Sequence, residues 1–171
     1  MPFTPIHMGP GVLIKAELQS GFSLIVFSWA QIVMDVQPLW VMLTGEGQLH
    51  GFSHTLIGAS LLAVFSLLSG KYLAEIGLRI FGIAKPDSPI VISWPVAAGS
   101  AFIGTSSHVW LDAIMHSDVA PLYPMSTRNG WLGVISIAQL HLLCLISGLV
   151  GAAIFFAVQW AVKARKDDNG S

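Results

Sequence analysis

The 171-residue chain carries eight Lys and Arg against nine Asp and Glu, a formal net charge of −1. Hydrophobic residues make up 54%, charged residues only 10%, and mean hydropathy is +0.72, which argues against an ordinary soluble domain and for the bilayer. There is no Lys/Arg stripe for nucleic acid, and the single Cys144 rules out an intrachain disulfide.

The opening MPFTPIHMGPG lacks the basic region and cleavage site of a signal peptide, so every apolar segment is expected in the mature protein. Within residues 1–21, Pro10 and Gly11 open a short helix. Four stretches then reach about the 20 residues that cross a bilayer core: 22–43, 51–69, 90–116 and 131–162. Without barrel-like alternation, helices are the spanning structure. The expected fold is a single all-α membrane domain with four transmembrane helices. Pro38 should end or kink the first span close to Asp35. Residues 71–84 space their apolar side chains around Lys71, Glu75 and Arg79, a pattern that predicts a short interfacial helix. The loop 117–130, with Pro121, Pro124, Asn129 and Gly130, is irregular. Residues 163–171 form a solvated tail.

Positive charge orients the spans. Lys71, Arg79 and Lys85 lie between the second and third, and Lys163, Arg165 and Lys166 follow the fourth. Only Arg128 lies between the third and fourth, and no Lys or Arg separates the first two. Basic loops stay inside, so the C-terminus is expected in the cytoplasm, with the Glu46 and Arg128 loops outside. Asp35, His50, His54 and His116 then share the outer depth. His7 joins them if the N-terminal segment forms a helical hairpin, because His7 to Gly21 rises about 21 Å and Gly21 to Asp35 returns it. Lys15 to Ser20 would occupy the cytoplasmic turn, with Lys15 snorkelling.

An ionisable group in a hydrophobic segment is expensive and by default functional. His7, Asp35, His50-x3-His54 and His108-x3-Asp112-x3-His116 stand out on that ground. Residues four apart on a helix share a face, and His with Asp suits zinc and similar divalent ions. From His108 to His116 a helix rises about 12 Å, too far for one ion, so Asp112 is placed to bridge two. The plainer reading of His50 and His54 is a helical pair facing water. Gly99–Ser107 (GSAFIGTSS) reads chiefly as a close-packing surface. His141 is a ligand, a support behind the ligands, or an interhelical hydrogen bond; Gln37 is a further support. Glu46 is a solvated loop acid or a general base. Arg128 clamps a phosphate or meets a lipid headgroup.

Together MPFTPIHMGPG, MDVQP, LHGFSHTLIG and SSHVWLDAIMH resemble the bacterial inner-membrane metal-dependent hydrolase family (YdjM-like), itself distantly similar to zinc-dependent phospholipases C. The resemblance runs from His7 to His116 and implies metal ligands at Asp35, His50, His54, His108 and Asp112, with His7 as an N-terminal ligand. The chain departs from that pattern at Gln37 and Pro38, where a second Asp and a His are usual, and at Gly51, where Arg is usual. The function so implied is hydrolysis of a lipid-linked phosphoester by one or two zinc-like ions near the outer membrane face. Two other classes remain. One is a non-catalytic membrane subunit that keeps a structural metal site while packing against a larger membrane complex; a membrane-protein partner or a homo-oligomer is the expected association. The other is a b-type haem carrier, for which Asp35 and Asp112 are poor ligands.

Overall fold

A computed structural model describes residues 5–85 and 87–168; the first four residues, Pro86, residues 169–171 of the tail and the Lys166 side chain used in the charge reading lie outside the described residues. Every regular element among the described residues is helical: α1 (Met8–Leu18), α2 (Leu24–Met34), α3 (Val36–Thr44), α4 (Leu56–Ile80), α5 (Trp94–Met115) and α6 (Ile137–Asp168), with 3-10 turns at Pro5–His7, Gln19–Gly21 and Phe52–His54. Among the described residues, three segments are long and apolar enough to cross a membrane: 24–44, which joins α2 to α3; α4; and 137–165 of α6. The 22 residues of α5 are diluted by Gly, Ser and Thr and carry His108 and Asp112, which keeps this helix below that apolarity.

The break between α2 and α3 follows from one residue. A proline ring clashes with the carbonyl four residues earlier, which for Pro38 is that of Met34, the last residue of α2. Restarting the helix at Val36 puts Pro38 in a first turn, where a missing N–H has no intrahelical partner to lose. Asp35 is left alone at the joint, as the C-cap of one helix and the N-cap of the next.

The central layer packs α5 against α4 and α2. Ala97, Ser100, Ala101, Gly104, Thr105, His108, Val109 and Asp112 are buried at intervals of three and four, one stripe of α5. Small side chains let the helices approach. A Cβ on Gly104 would sit 2.8 Å from the Ala30 Cβ, and the Ser23 N–H donates to Ser100 Oγ at 2.9 Å. The second layer is α1 on α6. Here Gly9 is obligatory, since a Cβ would lie 1.8 Å from the Cys144 carbonyl oxygen. Lys15 closes the turn into α2 by donating to the carbonyls of Gln19 and Phe22, and Gln159 of α6 donates to the Gln19 side chain.

Three local expectations are corrected. Residues 71–80 are not a separate interfacial helix but the last turns of α4. No proline interrupts them, and two of their charges meet: Lys71 donates to Glu75 one turn on, and the Glu75 carboxylate also accepts from the Ile92 N–H. Secondly, α6 begins at Ile137, because residues 131–136 are turn and bend. Thirdly, His50 and His54 are not an α-helical i,i+4 pair, and of His108-x3-Asp112-x3-His116 only His108 and Asp112 share the helical face of α5. His50 sits in a turn and His54 ends a 3-10 turn before α4, while His116 has left α5 with extended backbone.

Candidate metal centre

Six of the seven expected ligands come from chain breaks or helix ends on one side of the bundle. His7 ends the first 3-10 turn, Asp35 occupies the α2–α3 joint, His50 and His54 precede α4, and His108, Asp112 and His116 occupy the last turns and C-cap of α5. His108 alone stands within a regular helix two turns from its end. Their rings interlock. The His7 and His108 centroids are 5.5 Å apart, those of His54 and His108 5.4 Å, and those of His50 and His54 4.9 Å. His116 stacks on His50 at 4.3 Å. The structure therefore brings His7, Asp35, His50, His54, His108, Asp112 and His116 into one cluster.

Proton positions in this cluster follow from the surrounding hydrogen bonds. The Gln31 amide nitrogen donates to the Gly104 carbonyl at 3.0 Å and to Ser107 Oγ at 3.1 Å. A carbonyl only accepts, so Gln31 Oε1 must face His108 Nδ1, 2.6 Å away, and that nitrogen must carry the proton. Behind His54 the logic repeats with an extra link. The Gln37 amide nitrogen donates to the Gln48 carbonyl, which leaves Gln37 Oε1 to accept from the Ser53 N–H and the Ser53 hydroxyl. With its only hydrogen committed, Ser53 Oγ accepts from His54 Nδ1 at 2.8 Å. His50 Nδ1 lies 2.9 Å from both oxygens of Asp118 and donates to them.

In its neutral form each of these rings consequently aims an Nε2 lone pair inward. The target is the same atom: Asp112 Oδ2 lies 3.3 Å from His54 Nε2, 3.3 Å from His108 Nε2 and 3.8 Å from His50 Nε2. Asp35 Oδ1 is 3.5 Å from His108 Nε2. His54 Nε2, His108 Nε2 and both nitrogens of His7 are buried without a hydrogen bond. Lone pairs converging on buried carboxylates repel unless a proton or a metal ion lies between them, and unpaired buried polar atoms are costly. The three ion-pair partners of Asp112 among the described residues are these histidines, so no Lys or Arg neutralises it. Buried His and Asp donors with the far ring nitrogen anchored match divalent-metal coordination. Four overlapping triads bring one donor atom each to within 4.8 Å: His7–His108–Asp112, Asp35–His54–His108, His50–His54–Asp112 and His50–His116–Asp118. The cluster has the residues and spacing to hold a metal ion.

The mouth is more polar. A cavity of about 250 Å³ is lined by Gln48, His50, Thr55, Asp118 and Tyr123 among others. Burial pushes the Asp118 carboxyl up, but the His50 ring N–H outweighs this and holds it below the usual carboxylate range.

His141 on α6 is half-buried and an electrostatic neighbour of His7, behind the cluster. Gln37 supports His54 through Ser53. Glu46 and Arg128 are exposed on their loops, and no hydrogen bond or ion pair among the described residues joins either side chain to the cluster. Sequence reasoning passed over Gln31, Ser53 and Asp118. Gln31 was legible as the polar residue one turn before Asp35 on the same face. Ser53 and Asp118 act through turns, where spacing carries no facing rule.

Gln37 and Gly51 lie against each other. A Cβ at Gly51 would sit 2.2 Å from Gln37 Nε2, so the bare glycine makes room for the amide that holds Ser53. Comparison of the chain with family models, with curated proteins and with solved structures returns no match.

Proposed function

We propose that this chain is a membrane-embedded, metal-dependent hydrolase of a lipid-linked phosphoester, as its resemblance to the YdjM-like family implies. The observation that carries the reading is the convergence of the His54 and His108 Nε2 lone pairs on one buried carboxylate oxygen, each fixed by a hydrogen bond behind the ring. In this reading α5 crosses the bilayer with the three apolar spans, as the fourth transmembrane helix. The site lies at the outer face of a bacterial inner membrane and the C-terminus in the cytoplasm. The placement of Lys71, Arg79 and Lys85 at the far end of α4 and beyond supports that orientation.

His7, Asp35, His54, His108, Asp112 and His50 are the ligands, with His116 at the mouth. Asp112 is common to the His7–His108 and His50–His54 triads, and so sits where two ions would share a carboxylate. Gln31, Ser53 and Asp118 keep the proton on each outer ring nitrogen, which preserves the inner lone pair. When bound, zinc-like ions supply Lewis acidity, polarising a phosphoryl oxygen and lowering the pKa of water toward about 7. The polar mouth admits water and the headgroup, while the apolar helices keep the lipid chains in the bilayer.

Metal analysis of detergent-purified protein should find about one or two equivalents of zinc or a similar ion, as in mono- and dinuclear hydrolases. Chelation should abolish turnover of a phospholipid or polyprenyl phosphoester, and re-addition should restore it. Stoichiometric metal without turnover of any such ester would favour the structural-subunit reading. Background metal in carefully prepared protein would remove the centre altogether.

A further inference from the structure

The groove between α2–α3 and α4 is unused by the metal ligands, yet it ends at their supports. It encloses about 640 Å³. Its walls are Ile32 and Val36 on one side and Leu62 and Phe65 on the other. Ile32 and Phe65 are half exposed, so it opens sideways from the bundle. Trp29 forms the inner end and is pinned across the helices by its indole N–H, which donates to Ser69 Oγ at 2.9 Å. The only polar liners are Gln37 and Ser53, at the opposite end. Ser53 is the residue bonded to His54 Nδ1.

The origin of the groove is the Pro38 break. Up to Met34, α2 packs on α4 through Met34 and Ala59. Beyond Asp35 the chain restarts as α3, which does not pack along α4. One proline thus places Asp35 in the cluster and opens an apolar channel beside it. From Trp29 to Trp40 the channel wall extends about 16 Å at helical rise. Trp40, at the site end, is largely exposed, as expected of a tryptophan at a membrane–water boundary.

We propose that this groove binds one hydrocarbon chain of a membrane lipid and leads its polar head past Gln37 and Ser53 to the metal centre. The inference rests on the hydrolase reading for what the head meets there, but the chain site stands on the groove itself. Apolar walls open to the bilayer select an alkyl chain. At the site end the second N–H of the Gln37 amide, beyond the one given to the Gln48 carbonyl, selects the glycerol or phosphate region over more hydrocarbon.

The full-length protein in nanodiscs is photolabelled with a phospholipid carrying a diazirine in its acyl chain, and adducts are mapped by peptide mass spectrometry. Adducts should concentrate on α2–α3 and the first half of α4. Val36→Trp, at an exposed position that tolerates bulk, should lower them by about tenfold, the loss expected when roughly two methylenes are excluded. Leu149→Trp on the exposed side of α6 should not. Metal content should be unchanged in both. Hydrolysis of a long-chain phosphoester should fall in Val36→Trp, while a short-chain water-soluble phosphoester is cleaved as by the parent. Adducts spread evenly over the lipid-facing helices, or labelling indifferent to Val36→Trp, would overturn the groove. Parent protein that labels in the groove but cleaves neither ester would retain the chain site and sink the hydrolase reading instead.

Discussion

Asp112 is the residue on which the cluster turns, because three inward lone pairs meet at its Oδ2. Asp112→Asn keeps size and shape but removes the charge and one acceptor, so the fold should persist in detergent while metal content drops sharply. Full occupancy in that variant would show the carboxylate is not a ligand. Gln31 tests the layer behind. Gln31→Leu leaves His108 in place but frees its Nδ1, which no longer needs to hold the proton. Affinity for zinc should fall about 10–100-fold, the usual effect of losing a partner behind a ligand. Unchanged affinity on titration against a chelator would remove the tautomer argument. His141→Ala should be milder than either, since no hydrogen bond or ion pair among the described residues joins His141 to the cluster. At this scale much of the site was legible in the sequence. Ionisable groups are rare in an apolar chain, and all seven expected ligands fall in one place. What spacing could not give was the local geometry: the four-residue intervals suggested helical faces, yet His50, His54 and His116 reach the cluster from turns.

Among the elements, two breaks place the ligands, and each makes a separate prediction. Pro38 costs about 3 kcal/mol within a continuous helix, so Pro38→Ala removes the main reason for α2 to stop at Met34. A continuous helix would restore the bond to the Met34 carbonyl and turn Asp35 away. Helical content should hold or rise while metal occupancy falls. Normal occupancy would mean that tertiary packing, rather than Pro38, sets the joint. The N-terminal hairpin depends on α1 lying against α6, where any side chain at position 9 strikes the Cys144 backbone. Gly9→Val should therefore cost stability in the range of about 1–3 kcal/mol typical of overpacking, and should displace His7 two residues away. Gly99→Ala, whose Cβ would meet nothing within 4 Å, is the matched control. Equal thermal midpoints for the two variants would mean that α1 docks more loosely than drawn. The Pro38 break could be read from the sequence because its cause is local. The true extent of α4 could not: apolar residues at helical spacing around Lys71 look the same in an interfacial helix and in the end of a long one. The Glu75 carboxylate accepts from Lys71 within α4, which spacing suggests, but also from the Ile92 N–H seventeen residues on, which it does not.

For the molecule as a whole, the arrangement of charge makes orientation testable without reference to metal. The cluster and the Glu46 loop lie at one end of the bundle. At the other, Lys15 and Gln159 border the same cavity as Leu78 and Ile83, so the hairpin turn, the end of α4 and the later part of α6 are gathered together. The basic residues Lys71, Arg79 and Lys85 belong to the end of α4 and the connector that follows it. Basic loops are retained in the cytoplasm, so the proposed orientation puts the ligand cluster on the opposite, outer side. The native Cys144 is buried at 2% exposure and should be silent to a membrane-impermeant thiol reagent, so single cysteines can be introduced directly. In intact cells Glu46→Cys and Arg128→Cys, both at exposed loop positions, should label from outside. Asp167→Cys, near the end of α6, should label only after the membrane is opened. The reverse pattern would leave the helices, the groove and the lone-pair geometry as they are, since none of these depends on which side is which. It would, however, present the metal centre to the cytoplasm, and the substrate would then have to be sought among esters of the inner leaflet.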